Sequence, residues 1–248
     1  MNIAVLVKLV PDTQATIKIG EDRRYISPAD VNFVLNPYDE YALEEALKIK
    51  EREGGSVTVL SLGGDEAVKA LRNALAMGAD NAVHIKWPGG MDLVGVAKAL
   101  AGALKEGGYD LILAGKQAVD DDCSAVGPMV AEFLDIPHVS NVVKLEVKDG
   151  SLKAHREFEG GRELFESPLP ALITAEKGLN EPRYASLKGI MAAKKKTLTE
   201  ITTESFIAKT EVLQLNYPPA RPPGKIVGEG VEAIPELIRL LKEEAKVL

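Results

Sequence analysis

Three consecutive aspartates, Asp120-Asp121-Asp122, follow a short apolar run and lead into Cys123-Ser124, the most chemically loaded stretch of this 248-residue chain. Carboxylates crowded at the end of a strand repel one another, so each needs a helix start, a hydroxyl, a metal ion or water. Two of them on a divalent ion would suggest a phosphohydrolase. No His or Lys set of acid and nucleophile accompanies them at a recognisable spacing. A ribose or phosphate held by backbone N–H groups, with Ser124 at the start of the following helix, fits the residues equally well. Cys123 beside three carboxylates is expected to have a raised pKa, which argues against a catalytic thiolate.

Two other segments belong with this one. In Asn36-Pro37-Tyr38-Asp39, Asn36 has N-cap chemistry, Pro37 suits the first helical position and Asp39 sits where a carboxylate favours the helix dipole. Capping leaves only Tyr38 unexplained. Gly63-Gly64-Asp65 follows another apolar run, with Asp65 able to cap the next helix. Its glycines can form a phosphate-binding nest, although a bare strand-to-helix turn needs the same glycines. The chain has no G-x-x-x-x-G-K-[ST], no G-x-G-x-x-G after its first strand, no G-x-S-x-G and no H-E-x-x-H. Ordinary P-loop enzymes, dinucleotide dehydrogenases, serine hydrolases and zinc proteases are therefore disfavoured.

Short apolar runs at Ile3–Leu9, Val57–Leu62, Ala82–Ile85 and Leu111–Ala114 read as strands buried on both faces. Helical periodicity fills the gaps over Asp39–Glu53, Glu66–Met77 and Leu93–Lys105. This alternation predicts an α/β fold: a mostly parallel sheet with helices on both faces, three-layered and Rossmann- or flavodoxin-like. In such a sheet ligands bind beyond the carboxyl ends of the strands, which is where the three segments should lie. Around Lys148-Asp149-Gly150 and Glu159-Gly160-Gly161, which read as tight turns, Val142–Val147, Leu152–Phe158 and Ala171–Thr174 suggest antiparallel strands added to the sheet. A polar stretch runs from Lys194 to about Thr210. Pro218, Pro219, Pro222 and Pro223 suggest an extended arm, and a last helix over Val231–Val247 should bury Ile234, Leu237, Ile238 and Leu241. We therefore expect an α/β nucleotide-binding domain over 1–210 and an arm with a helix over 211–248.

Composition excludes several classes of function. Thirty Lys and Arg against 37 Asp and Glu leave a net charge of −7, the wrong sign for a general nucleic-acid binder. The single cysteine rules out an intrachain disulfide and a cysteine-based zinc site, and three histidines are too scattered for a His-rich metal centre. Aromatic residues are only 5% of the chain, few for a protein that stacks bases or sugars. No run approaches the roughly 18 apolar residues of a membrane span. No signal or transit peptide is evident. The expectation is a cytoplasmic protein of a bacterium or archaeon, or a mitochondrial matrix chain already processed.

Taken together, several stretches resemble the electron-transfer flavoprotein β-subunit family. One is Ala154-His155-Arg156-Glu157-Phe158-Glu159-Gly160-Gly161-Arg162-Glu163, continuing to Pro170-Ala171-Leu172-Ile173-Thr174, with Phe165 where the pattern usually has an aliphatic residue. Another is Leu179-Asn180-Glu181-Pro182-Arg183-Tyr184, followed by Ile190-Met191 and Lys194-Lys195-Lys196. The others are Gly115-Lys116-Gln117-Ala118 with the aspartates, Asn36-Pro37, and Ala74-Leu75-Ala76-Met77-Gly78-Ala79-Asp80. The resemblance covers essentially the whole chain, and the joint occurrence is specific where each piece alone is not.

The resemblance implies a non-enzymatic electron carrier: a heterodimer whose α subunit carries the redox-active FAD and is embraced by the C-terminal arm of β. It implies structural AMP in the β crevice, held by Leu6, Asn36, Pro37, Tyr38, Asp39, Leu62 and the loop Gly115, Lys116, Gln117, Ala118, Val119, Asp120, Asp121, Asp122, Cys123, Ser124, Ala125 and Val126, with no metal. Leu179, Asn180, Glu181, Pro182, Arg183 and Tyr184 would dock flavin-dependent dehydrogenases such as acyl-CoA dehydrogenase of fatty acid β-oxidation. Leu179 would be the exposed apolar anchor, and a membrane quinone reductase would accept the electrons. Flavin-bifurcating members instead hold a second FAD that oxidises NADH. Their loop often reads Asp-Gly-Asp where this chain has Asp120-Asp121-Asp122, so Asp121 favours AMP, although Val126-Gly127-Pro128 is also seen among them. Apart from the resemblance, a homodimeric stress-type nucleotide-binding domain remains open.

Overall fold

A computed structural model describes residues 1–87, 91–204, 206–221 and 223–248. Pro222 of the expected arm lies outside the described residues. The main sheet has nine strands. Four form its centre: β1 (Asn2–Leu6), β4 (Ser56–Gly63), β5 (Asn81–Lys86) and β6 (Leu111–Gly115). They run parallel, with β4 on one side of β1 and β6 on the other. The chain direction across the sheet therefore reverses between β1 and β6. That reversal opens a crevice at the carboxyl ends of the strands.

Strand periodicity assigns the two faces. Ile3, Val5, Leu111 and Leu113 point to one side, where they meet α1 (Pro37–Glu53) and α2 (Val68–Met77) through Leu43, Leu47, Leu71 and Leu75. Ala4, Leu6, Ile112 and Ala114 point to the other, against α3 (Leu93–Lys105) and α4 (Val126–Leu134) through Ala97, Leu100 and Val130. Both faces are covered, which is why these strands read as continuous apolar runs. The α/β three-layer class expected from the sequence is the one observed.

Several expectations need correction. The first apolar run is two elements, because the chain leaves the sheet after Leu6. It re-forms as β2 (Leu9–Pro11), paired antiparallel with β3 (Phe33–Leu35) in a separate two-stranded sheet. β10 (Ala171–Ala175) is parallel to both neighbours, β6 and β7 (His138–Lys148), not antiparallel. It is buried along its whole length, and such a run carries no sign of direction. The antiparallel part is β7, β8 (Ser151–Phe158) and β9 (Gly161–Pro168). The polar stretch after Lys194 contains a strand, β11 (Leu198–Thr202), which pairs parallel with β5 at the sheet edge and shows no apolar run because it is mostly exposed. Helix α5 (Leu187–Ala193) precedes it.

Residues 203–230, so far as described, form no helix or strand. The last helix, α6 (Ile234–Glu243), buries none of its residues: Ile234, Leu237 and Ile238 are exposed and Leu241 half-exposed. The expectation that this chain covers their side chains is therefore wrong. Among the described residues, no helix is long and apolar enough to cross a membrane.

Candidate functional site

A cavity of about 450 Å³ occupies the crevice where the strand order reverses. Leu6 ends β1 in its wall, Leu62 comes from β4, and Gly115 ends β6. Asn36 and Asp39 enter from the start of α1.

Asn36 occupies the N-cap position of α1, but its side chain makes no capping bond. It reaches across the crevice instead. Its amide nitrogen donates to the Gln117 carbonyl at 2.9 Å, and its carbonyl oxygen accepts from the Val119 N–H at 3.2 Å. Both amide functions are thus satisfied on the loop, although the residue is 1% exposed. Pro37 takes the first helical position as expected. Tyr38 lies beneath the Lys116 ammonium, 5.8 Å from its ring centre, while Lys116 pairs with Glu176 at 2.6 Å.

Asp39 is buried and acts as a staple rather than as a surface charge on the helix dipole. One carboxyl oxygen accepts the Lys8 N–H at 2.8 Å and the other accepts the Gly115 N–H at 3.1 Å. The link ties the chain beyond β1 to the end of β6, across the strand reversal. Burial pushes the Asp39 pKa up to about 7, against the opposing pull of its hydrogen bonds. Gly115 is needed here, because a Cβ would stand 2.4 Å from an Asp39 carboxyl oxygen.

The aspartate run is held by protein groups. The Lys8 ammonium lies 2.8 Å from Asp120 and 3.1 Å from Asp121. Asp121 also accepts the Cys123 N–H, and Asp122 accepts from the Gln117 side-chain amide. Gln117 in turn accepts from the Ser124 hydroxyl at 3.0 Å. Asp122 and Ser124 have left-handed backbones with φ of 50° and 52°, so the chain coils tightly before α4. Asp121 lacks a positive φ, and nothing in the backbone requires glycine there. Burial, and next the Asp121 charge, push the Cys123 thiol pKa up, the direction expected from its neighbours.

Among the crevice residues expected from the sequence, Leu6, Asn36, Asp39, Leu62, Gly115, Lys116, Gln117, Ala118, Asp121, Cys123, Ser124, Ala125 and Val126 line the cavity, while Pro37, Tyr38, Val119, Asp120 and Asp122 do not. Helix α4 starts at Val126, with Ala125 in the cap position and no side-chain cap. Its first N–H groups therefore lack side-chain partners at the cavity edge. Ser124, expected at the start of this helix, lies two residues before it. Asp65 is not the helix cap that the sequence suggested, because it lies inside a 3₁₀ turn (Asp65–Ala67) that follows Gly64.

Sequence reasoning missed the opposite wall, Trp87, Met91, Leu93, Val96 and Leu100. The available signal was position, since Trp87 directly follows β5. Asp92, also in the wall, was missed as well. It caps α3 through the Gly95 N–H at 2.9 Å and accepts the Lys209 N–H, just before the arm, at 2.8 Å, and those two bonds hold its pKa down.

The 179–184 segment lies elsewhere, along α1. Leu179 is not an exposed anchor: it is half-buried against the core. The Asn180 amide nitrogen donates to the Tyr41 carbonyl and to Glu45, both at 3.0 Å. Arg183 forks onto buried Glu44 at 2.7 and 3.0 Å and also pairs with Glu51, which raises the guanidinium pKa. Glu181 is exposed and Pro182 half-buried. The apolar side chains that do face outward are Tyr184, 96% exposed, and Leu187, 79% exposed, with Ile190 and Met191 beside them.

Fold and crevice together define a doubly wound α/β protein with a cavity at the reversal of strand order. The family model described as the electron transfer flavoprotein domain matches residues 25–205. Over the full length of both chains, the sequence is 41% identical to the electron transfer flavoprotein subunit beta of Bacillus subtilis. It is 39% identical to that of Syntrophomonas wolfei and 36% identical to that of Homo sapiens, each over all of this chain and 99% of the relative. The chain belongs to the electron transfer flavoprotein β-subunit family.

Proposed function

We propose that this chain is the non-catalytic β subunit of an electron carrier, holding AMP in the crevice and pairing with an α subunit that carries FAD. The observation that carries the nucleotide reading is the wall built by Asn36 and Asp39. These buried groups fix the 115–126 loop and present the uncapped start of α4 to the cavity. A helix start free of side-chain caps suits a phosphate. The apolar side, with Leu62, Val96 and Leu100, suits the flat face of a base. The residues thus fit AMP without a metal ion, since Lys8 and neighbouring N–H groups already neutralise Asp120 and Asp121.

In this reading the redox chemistry belongs to the flavin of the α subunit. The residues of this chain orient the nucleotide, exclude water and hold the partner. The apolar side of α6, left uncovered by its own chain, is the surface on which the α subunit would rest. The outward face of Tyr184, Leu187 and Met191 would dock flavin-dependent dehydrogenases, such as an acyl-CoA dehydrogenase of fatty acid β-oxidation, with a membrane quinone reductase as electron acceptor. The compartment would be the cytoplasm of a bacterium or archaeon.

The test is chemical. The purified α–β complex is denatured and its released nucleotides are counted. One FAD and one AMP per heterodimer supports the reading. Two FAD would show the bifurcating form, and a flavin-free homodimer would defeat both.

A further inference from the structure

We propose that a second cavity, between α1, α2 and residues 182–185, receives a lysine or arginine side chain of the docking protein, with Glu40 as its counter-charge. The cavity measures about 280 Å³, and its wall includes Glu40 and Tyr41 of α1, Asn73 and Met77 of α2, and Tyr184. Glu40 is half-buried. Among the described residues its carboxyl group has no ion-pair or hydrogen-bond partner. Loss of water alone pushes its pKa up.

Arg183 also lines this cavity but does not fill the role of counter-charge, because Glu44 and Glu51 already share its guanidinium. Glu44 and Glu51 stand outside the wall and offset the Arg183 charge, so Glu40 is the charge in the wall left without a partner. That unpaired carboxylate decides the chemistry of the occupant. An apolar side chain would complete the desolvation of Glu40 without compensating it, and an acidic one would be repelled. A single carboxylate is too few ligands for a calcium or magnesium ion. A long cationic side chain satisfies both parts of the cavity: its methylenes lie along Met77 and the Tyr184 ring, and its head meets Glu40. Exposed Tyr184 forms part of the cavity wall and exposed Leu187 follows it three residues on, so one partner surface can cover the apolar ledge and fill the cavity together.

This inference rests on the docking role proposed for that face, and the experiment separates the two. In the intact α–β complex, Glu40→Gln keeps the shape of the side chain and removes its charge, while Leu187→Ala trims the ledge without touching the cavity. Binding of a purified acyl-CoA dehydrogenase is measured over a range of salt concentrations. Glu40→Gln should weaken binding about tenfold at low salt and flatten the salt dependence, with AMP content and unfolding midpoint unchanged. Weaker binding for Leu187→Ala with unchanged binding for Glu40→Gln would overturn the counter-charge and keep the docking face. Unchanged binding in both would overturn both. A loss for Glu40→Gln that is the same at every salt concentration would also overturn the charge pairing.

Discussion

Asn36 and Asp39 show how side chains at helix-capping positions can serve tertiary structure instead. Both stand where helix-capping rules put them, so the local pattern is right. Their side chains nevertheless bond to groups about 80 positions away, at Gly115, Gln117 and Val119. Proximity in space, not local preference, chooses the partner. Asp39 carries a testable consequence. Its pKa rises from 3.8 to about 7 on folding, so the folded chain holds this proton over a range where the unfolded chain has lost it. The stability it contributes is full below pH 3.8 and is lost as pH rises towards about 7, with a slope of up to about 1.4 kcal/mol per pH unit. Asp39→Asn should remove that slope. Denaturant unfolding of both proteins at a series of pH values between 4 and 8 gives the comparison, and parallel curves would show that Asp39 does not titrate there.

Elements that face the core were legible in the sequence, and elements that depend on the edge of the sheet were not. β1, β4, β5 and β6 are buried on both faces and announce themselves as apolar runs. β11 exposes most of its residues, so its period carries little hydrophobic signal. The 179–184 segment has no regular structure of its own, and α1 holds it through Asn180 and Arg183. This geometry turns Leu179 inward and leaves Tyr184 outward. Arg183→Ala would leave Glu44, buried in α1, without its guanidinium, a loss of about 1.5–3 kcal/mol. Amide exchange in residues 179–186 should quicken, with Arg183→Lys intermediate because it keeps the charge without the fork. Unchanged exchange rates would show that the clamp does not order the segment.

Over the whole molecule, the arm lies along the chain rather than inside it. Tyr217 accepts the Ile19 N–H at 2.9 Å, and the Leu215 N–H donates to the Arg23 carbonyl at 2.6 Å. Arg24 pairs with Glu211 at 2.9 Å. Beyond these ties, α6 carries apolar residues at Ile234, Leu237, Ile238 and Leu241, the spacing of a helix that rests on something. Leu237 is 43% exposed, so Leu237→Asp should change the stability of the β chain itself by no more than about 0.5 kcal/mol. Recovery of the α subunit on co-purification should fall sharply. Undiminished recovery would show that α6 does not hold the partner.

The sequence by itself determined the α/β alternation, the strands of the central sheet, the family and most of the crevice wall. Each of these follows from hydrophobic period or from residues close together along the chain. Tertiary structure alone decided the parallel course of β10, the inward turn of Leu179, the reach of Asn36 and the wall contributed by Trp87 and α3. Strand direction, burial and hydrogen-bond partners depend on which distant segments meet, and local spacing does not carry that information.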